Sequence, residues 1–404
     1  MQPSQSVPID NDVSNNSWLS WGNNVDRNGM LARTMLAFLA TAGLFYVNIM
    51  PALVSGLIEA LGFNKEDAGL VAAFNVYGAA LGAFAAVFIV KIWSWRKTSV
   101  VLLFALIVAD LISIFIAEPL LLMVMRFLHG AIGGLLVGVG FSIIARTKEA
   151  DKTFGILLLV QFGLGGVGVI FIPPLVPEFG TAVLFSSLIA FSLITLCMLP
   201  FIPQYDKNAN PVKGKPQSIR KLPLSAALLA LFLFQAANMG LYAFIIELGK
   251  VAGLETELIS TIIGVSAWFG ILGSLLVVWL STRVGRGLPL TIGIIFTAIS
   301  TLGLHYAEQE WAFWLANINI AIAWAFVIPY ILGLCAEFDQ QGQMAALGGF
   351  ASKMGLASGP LVAALMVTGF SYTVLINIAA LVLVLSMIAA WWPSRLLDKT
   401  PKIR

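Results

Sequence analysis

Residues 203–222 of this 404-residue chain, PQYDKNANPVKGKPQSIRKL, are the only long polar and basic stretch between its apolar segments. Six apolar runs of about 20 residues precede this stretch and six follow it, and a run of that length crosses a bilayer as one helix. The sequence therefore predicts an all-α membrane protein with twelve transmembrane helices in two pseudo-symmetric six-helix bundles. The predicted parts are an N-terminal tail at 1–33, a first bundle at 34–202, a linker at 203–222, a second bundle at 223–393 and a C-terminal tail at 394–404.

The composition excludes several other classes of protein. Apolar residues make up 59% of the chain and charged residues 11%, whereas soluble domains carry about 25% charged residues. The net charge is only +3, so the chain lacks the excess of basic residues that is typical of nucleic-acid-binding proteins. Two histidines and two separated cysteines, Cys197 and Cys335, supply neither a metal cluster nor a nucleophile–base pair. We therefore expect no enzyme activity, no metal and no cofactor, and a lipid bilayer as the surroundings.

The distribution of lysine and arginine predicts the orientation in the membrane. With the N-terminus in the cytoplasm, most of the 23 Lys and Arg residues fall in cytoplasmic segments. The external loops then carry only Lys65 and Lys250. An even number of spans places both termini in the cytoplasm, and the short loops favour a bacterial inner membrane.

The two halves repeat each other weakly. Gly62 corresponds to Gly253, and Leu81-Gly82 corresponds to Leu272-Gly273, at a spacing of about 190 residues. Repeats in a membrane chain predict a site between halves that move against each other.

Local motifs carry a family resemblance. The loop from Gly273 to Arg286 ends in Arg283-Val-Gly285-Arg286 and is similar to the signature Gly…Asp-Arg-x-Gly-Arg of the major facilitator superfamily, with Thr282 at the acidic position. Arg126-Phe-Leu-His129-Gly130 resembles the Arg-x-x-x-Gly motif of that family's fourth span. With twelve spans and a basic central loop, the chain resembles the family over nearly its whole length. The resemblance implies alternating access and conformational gating at Arg96, Lys97, Arg283, Gly285, Arg286, Gly355, Gly359 and Pro360.

Three charges fall inside predicted spans, where a charge is costly and usually functional. Asp110 lies eight residues before Glu118 and Arg126 eight residues after it, so both lie about 12 Å below one surface and can pair. The pair is either a static structural contact or one in which a proton or substrate competes for Arg126. His129 is either a core histidine or a proton relay. We predict Asp110 and His129 as the proton-coupling residues.

Lys353 and Lys250 lie at different depths in their predicted spans and are interpreted separately. Lys353 lies deep in the eleventh span, where it either snorkels to the surface or faces the cavity. Glu247 and Lys250, spaced three apart at the external end of the seventh span, are predicted to form a solvated pair.

The resemblance implies that spans one, four, seven and ten line a central cavity. Each polar residue there is either a substrate contact or an interhelical hydrogen bond. The predicted cavity residues include the basic Arg126, His129 and Lys353 but no acidic residue, which favours a small organic anion as substrate. A proton carried with the anion would offset its charge, so we predict proton-coupled symport. A proton-coupled antiporter exporting drugs or metabolites is the alternative, and a transporter-like sensor is a third class. The candidate substrate-binding residues are Tyr46, Asn48, Arg126, His129, Gln161, Gln235, Asn238, Tyr242, Asn317, Trp324 and Lys353.

Overall fold

In the computed structural model the described part of the chain is α-helical with short connecting turns, and it covers residues 25–92, 94–205, 221–280, 283–338, 343–369 and 371–399. Two short 3₁₀ turns accompany fifteen α-helices in that part. The first half contains α1 Met30–Ala42, α2 Phe45–Asn48, α3 Met50–Leu61, α4 Lys65–Ile92, α5 Trp95–Ser113, α6 Pro119–Ile144, α7 Ala150–Phe179 and α8 Thr181–Met198. The second contains α9 Lys221–Ala243, α10 Ile245–Val251, α11 Thr256–Leu280, α12 Gly287–Gly303, α13 Glu310–Glu337, α14 Gln343–Gly369 and α15 Tyr372–Asp398.

These helices form twelve spans. Ten of the described helices are individually long and apolar enough to cross a membrane. The two other spans are α5, which carries Arg96, Lys97 and Asp110, and the divided span α1–α3. Because the number of spans is even, the start of α1 and the end of α15 lie on one side, called here the termini side. The opposite side is called the far side.

The first and seventh spans are each broken, where the sequence predicted continuous helices. The first is interrupted at Gly43-Leu44 and again at Ile49, and the seventh at Phe244. Pro51 lies in the first turn of α3. Its ring has no amide hydrogen and excludes the carbonyl one turn earlier, so a helix starts there more readily than it passes through.

The internal repeat is confirmed by equivalent backbone contacts. Gly62 and Gly253 both adopt left-handed conformations, with φ of 66° and 87°. A Cβ at Gly82 would lie 1.9 Å from the Ala131 carbonyl oxygen on α6. A Cβ at Gly273 would lie 2.0 Å from the Ile322 carbonyl oxygen on α13. The same helix pair therefore meets at the same kind of position in each half.

Glycines on α6 serve helix packing, as their four-residue spacing predicts. A Cβ at Gly130 would lie 1.8 Å from the Asn75 carbonyl oxygen, and one at Gly134 would lie 2.0 Å from that of Ala79. This glycine face brings α6 against α4, while Leu121, Val124 and Leu128 lie on an exposed face of the same helix.

Helix ends differ from the predicted boundaries by several residues. The first helix begins at Met30 rather than at 34, and the last continues to Asp398 rather than ending at 393. Most of the predicted N-terminal tail and linker, and the last five residues of the predicted C-terminal tail, lie outside the described residues.

Candidate functional site

A cavity of about 210 Å³ lies between the two halves near the middle of the spans. The first half contributes the broken segment around Asn48 and the middle of α7, and the second half contributes α9, α11, α13 and Leu356 of α14. Six of the predicted substrate-binding residues line it: Asn48, Gln161, Asn238, Tyr242, Asn317 and Trp324.

The lining of this cavity is apolar with a few uncharged polar groups. Leu44, Val47, Met239 and Ile263 supply apolar surface, and no charged residue is among the described residues that line it. Ligand sites commonly combine such a lining with a small number of polar groups that fix orientation. The cavity can therefore bind a small organic molecule that has hydrogen-bonding groups and an apolar part.

Hydrogen bonds hold the two halves together at the cavity. The Tyr242 hydroxyl donates to the Asn48 carbonyl oxygen over 2.9 Å. The Trp268 indole nitrogen donates to the Gly163 carbonyl oxygen over 3.1 Å. A Cβ at Gly166 would lie 2.6 Å from the Gly264 carbonyl oxygen, so the glycines let α7 and α11 approach across the halves.

Several lining residues were missing from the prediction. Phe162, Gly165 and Gly166 of α7 and Ser266 of α11 line the cavity, although Gln161 was the only residue of spans five and eight predicted to bind substrate. The run Gly163-Leu-Gly165-Gly-Val-Gly168 was the available signal, because it permits close approach of a helix from the other half. The fourth span, predicted to line the cavity, contributes none of its described lining.

Arg126, His129 and Tyr46 do not line the cavity, contrary to the prediction. The α6 surface that carries Arg126 and His129 is turned into the first half, because the glycines of α6 pack on α4. Arg126 is 0% exposed, His129 5% and Tyr46 3%. The Tyr46 and His129 rings lie 5.9 Å apart, centroid to centroid. These residues form a buried cluster separate from the cavity.

The centre of this cluster is the pair between Asp110 and Arg126. The Arg126 guanidinium donates to Oδ1 of Asp110 over 2.7 Å and to the Ala109 carbonyl oxygen over 3.1 Å. It also contacts the Ser113 hydroxyl. The Phe185 ring lies beside it, 4.8 Å from centroid to guanidinium carbon. Equal depth on adjacent antiparallel spans predicted this pair, and the structure shows it.

A second polar layer surrounds the pair. Nε2 of His129 lies 3.2 Å from Oδ1 of Asp110. Nδ2 of Asn75, on α4, lies 2.9 Å from Nδ1 of His129 and 3.0 Å from the Arg126 carbonyl oxygen. Asn75 is 2% exposed. The cluster thus joins α4, α5 and α6.

Gln235 and Lys353 also lie beside the cavity rather than on its lining. Gln235 accepts a hydrogen bond from the Trp324 indole over 2.9 Å and donates to Ser352 over 2.8 Å, so it orients a lining residue. Lys353 is half-buried one helical turn from Leu356, which lines the cavity. Lys353 makes no ion pair or hydrogen bond within the described part of the chain.

A charged cluster seals the far side between the halves. Lys250 of α10 lies 3.1 Å from Glu59 of α3 and 3.2 Å from Glu247. Ser55 donates to Glu247 over 2.7 Å, and Lys250 donates to Ser55 over 3.0 Å. The predicted pair of Glu247 and Lys250 is confirmed, but its predicted solvation is wrong, because Glu247 is 8% exposed and accepts from Ser55 of the other half.

The predicted gating residues at the termini side have varied surroundings. Arg96 is buried against the Ile202 carbonyl oxygen, whereas Lys97 and Arg283 are exposed. Gly285 adopts φ of 77°. The Asp398 carboxylate accepts the backbone N–H of Arg286 and of Gly287, each over 2.8 Å. A carboxylate from the last helix therefore caps the N-terminus of α12. Thr282, which occupies the position of the acidic residue in the family's motif, lies outside the described residues.

The predicted gating positions on α14 lie inside the second half. A Cβ at Gly355 would lie 2.5 Å from the Phe232 carbonyl oxygen, and one at Gly359 would lie 2.3 Å from that of Ala236. Pro360 follows within the same helix. These glycines hold α14 against α9.

Two bundles of six spans around a central, mostly apolar cavity with a few uncharged polar groups define a membrane transporter of the twelve-helix type. The family model of the Major Facilitator Superfamily matches residues 34–352, most of the chain, so the chain belongs to this superfamily. It is accordingly a multi-pass membrane protein and a secondary transporter of small molecules.

Solved structures share the fold. A bacterial homologue of the human lysosomal transporter Spinster, inward-facing and unoccupied, has a TM-score of 0.71 and 14% identity, covering 92% of this chain and 98% of the other. The D323A mutant of the nucleoside transporter NupG has a TM-score of 0.68 and 15% identity, covering 90% and 99%. A search of curated protein sequences finds no match to this chain.

Proposed function

We propose that this chain carries a small organic anion together with a proton, by alternating access, across a bacterial inner membrane with both termini in the cytoplasm. The cavity between the halves, with its six polar lining residues, is the observation that carries this proposal. The halves are joined at the cavity by the Tyr242 hydrogen bond to Asn48 and at the far side by the ion pair between Lys250 and Glu59. The far-side contacts support a state that is closed toward the outside.

Lys353 replaces Arg126 as the proposed counter-charge for the anion. The Arg126 side chain is 0% exposed and already contacts Asp110 and three further groups. A substrate in the cavity therefore cannot reach its guanidinium. Lys353 has no partner among the described residues and lies one turn from the cavity. We place the apolar body of the substrate in the cavity and its carboxylate or similar group toward Lys353. A lysine binds such a group as a compact point charge.

Export of drugs or metabolites in exchange for protons is the second candidate. The mostly apolar lining favours lipophilic solutes. Lipophilic cations, however, would find no acid among the described lining residues, because Asp110 is buried in the separate cluster. This candidate therefore requires a neutral solute.

The proposal is tested by a thermal-shift screen of purified protein against carboxylates, neutral polar solutes and lipophilic cations. A ligand that binds the folded state raises its apparent stability by mass action. We expect a small carboxylate to stabilise the wild type and to lose most of its effect in Lys353→Gln, while Lys353→Arg retains part of it. Equal stabilisation of wild type and Lys353→Gln by neutral solutes alone would contradict the anion proposal and favour the second candidate.

A further inference from the structure

The hydrogen bonds of Asn75 determine the protonation state of His129. Nδ2 of Asn75 lies 3.0 Å from the Arg126 carbonyl oxygen, which can only accept. The same nitrogen lies 2.9 Å from Nδ1 of His129. An amide NH₂ has two hydrogens and no acceptor, so both neighbours must accept from it. Nδ1 of His129 is therefore unprotonated, and the imidazole is neutral with its hydrogen on Nε2.

The other face of His129 points at a carboxylate that is only partly satisfied. Nε2 lies 3.2 Å from Oδ1 of Asp110, and Arg126 donates to the same oxygen. Oδ2 of Asp110 is buried and has no donor within the described part of the chain. Buried polar atoms without a partner are rare, and each calls for an explanation in chemistry.

We propose that Asn75 holds His129 as the neutral Nε2–H tautomer and that the coupling proton binds at Oδ2 of Asp110, not at His129. This inference rests on the proton symport proposed above and assigns its proton site. Among the described residues, the titratable and charged groups around Asp110 are Arg126 and His129 from α6, which contact it, and Tyr46 from α2, which lies beside His129. Protonating His129 would require Nδ1 to carry a hydrogen that points at the Asn75 NH₂, so Asn75 would have to move first.

Binding of the proton changes the charge of the cluster. An O–H bond forms at Oδ2, the carboxylate becomes a neutral acid, and the net charge of Asp110, Arg126 and His129 goes from zero to +1. An unbalanced buried charge is unfavourable. An anion arriving in the neighbouring cavity offsets it, which gives a physical reason for anion and proton to move together.

The helix that carries Asn75 also contacts the other half. Asn75 lies on α4, where the Tyr77 hydroxyl lies 2.9 Å from the Ser358 hydroxyl of α14. Farther along α4, a Cβ at Gly69 would lie 2.6 Å from Cβ of Ala364. When Asp110 is protonated, its ion pair with the Arg126 guanidinium is lost. Asn75 is next to this change, because it donates to the carbonyl oxygen of Arg126. The same helix thus contacts both the proton site and the interface between the halves.

Nitrogen NMR of histidine-labelled full-length protein in lipid tests the tautomer directly, because the chain has two histidines. His305→Gln assigns the signals. We expect His129 to remain the neutral Nε2–H tautomer while infrared spectroscopy shows a protonated carboxyl band that titrates and disappears in Asp110→Asn. A His129 signal of the Nδ1–H tautomer, or an imidazolium that forms where the carboxyl band should titrate, would overturn the proposal.

Asn75→Leu supplies the matched perturbation. Without the amide donor, Nδ1 of His129 is free to bind a proton while Nε2 still donates to Asp110, so we expect this variant to form the imidazolium at a higher pH than the wild type does. Asn377→Leu is the control, since Asn377 lies 2.8 Å from His305 and should alter only the His305 signal. An unchanged His129 signal in folded Asn75→Leu contradicts the proposal. Uptake driven by a pH gradient is measured separately, so loss of proton coupling would reject the transport proposal without rejecting the tautomer.

Discussion

The buried contact between Asp110 and Arg126 is the most consequential pair at the scale of single residues. Removing one partner of a buried ion pair leaves an uncompensated charge, which costs about 3–5 kcal/mol. We therefore predict that Asp110→Asn, which leaves Arg126 charged, lowers the thermal unfolding midpoint strongly. Tryptophan fluorescence in detergent measures this midpoint.

A double-mutant cycle checks that the loss arises from the pair. Asp110→Asn combined with Arg126→Gln should cost less than the sum of the single variants, with a coupling of about 0.5–3 kcal/mol for residues in contact. Additive single effects would show that the two side chains do not depend on each other, and the pairing seen at 2.7 Å would carry no stability.

Arg33 and Glu149 predict a pH dependence at the termini side. The Arg33 hydrogen bond and charge, with a smaller contribution from Lys152, lower the pKa of the exposed Glu149 carboxyl. A lowered folded-state pKa contributes stability above the ordinary Glu value of about 4.3, and that stability is lost as pH falls through the lowered pKa. Unfolding midpoints from neutral to acid pH should fall more in wild type than in Arg33→Gln. Parallel curves would contradict this, and Lys152→Gln should differ little from wild type.

Residue-scale geometry was predictable only where depth decided it. Asp110 and Arg126 meet because they are equally far from one turn, which the sequence shows. The rotation of α6 was not predictable, since it depends on which face its glycines press against α4. Because of that rotation, Arg126 and His129 lie outside the cavity and His129 lies against Asn75. Nothing in the amino-acid sequence indicates the contact between Asn75 and His129.

At the scale of helices, the α4–α6 contact depends on the missing Cβ of Gly134. A Cβ there would lie 2.0 Å from the Ala79 carbonyl oxygen, so the helices would have to separate. We predict that Gly134→Ala destabilises the protein by about 1–3 kcal/mol, as overpacking does. Gly155→Ala is the control, because nothing lies within 4 Å of its Cβ position. The control should be neutral or stabilising by up to about 1 kcal/mol, and an equal loss in both variants would contradict the packing argument.

Helix existence was predictable from apolar runs, whereas helix breaks were not. The apolar runs pass through Gly43, Ile49 and Phe244 without interruption in hydropathy, because both broken pieces remain inside the membrane. Pro51 was a visible signal for one break. No proline lies at the break at Phe244. The hydrogen bond from Tyr242 to Asn48 lies beside this break and beside the break at Ile49.

At the scale of the whole molecule, the cluster of Ser55, Glu59, Glu247 and Lys250 closes the far side. We predict that Glu247→Gln weakens this closure and shifts the population toward the outward-open state. Ser266→Cys in a Cys197→Ser, Cys335→Ser background reports it through labelling by an impermeant maleimide added outside. Labelling should be faster in Glu247→Gln than in Glu257→Gln, the same change at an exposed residue. Equal labelling rates would show that the cluster does not hold the halves.

The arrangement of the halves was predictable because it follows from counts and charges. Twelve apolar runs, one basic linker and the weak repeat predict two six-helix bundles, and residues 34–352 match the superfamily model. The contents of the cavity required the structure. Which spans line it depends on helix rotation and on which side is closed, and neither leaves a mark in the hydropathy of the chain.

Proton movement coupled to substrate entry tests the central claim most directly. Protein in liposomes containing a pH-sensitive dye is given the carboxylate found in the thermal-shift screen, with no imposed gradient. Symport predicts internal acidification on addition of the anion in wild type and its loss in Asp110→Asn, provided that variant still binds the anion. Anion uptake without acidification, or acidification unchanged in Asp110→Asn, would contradict the account.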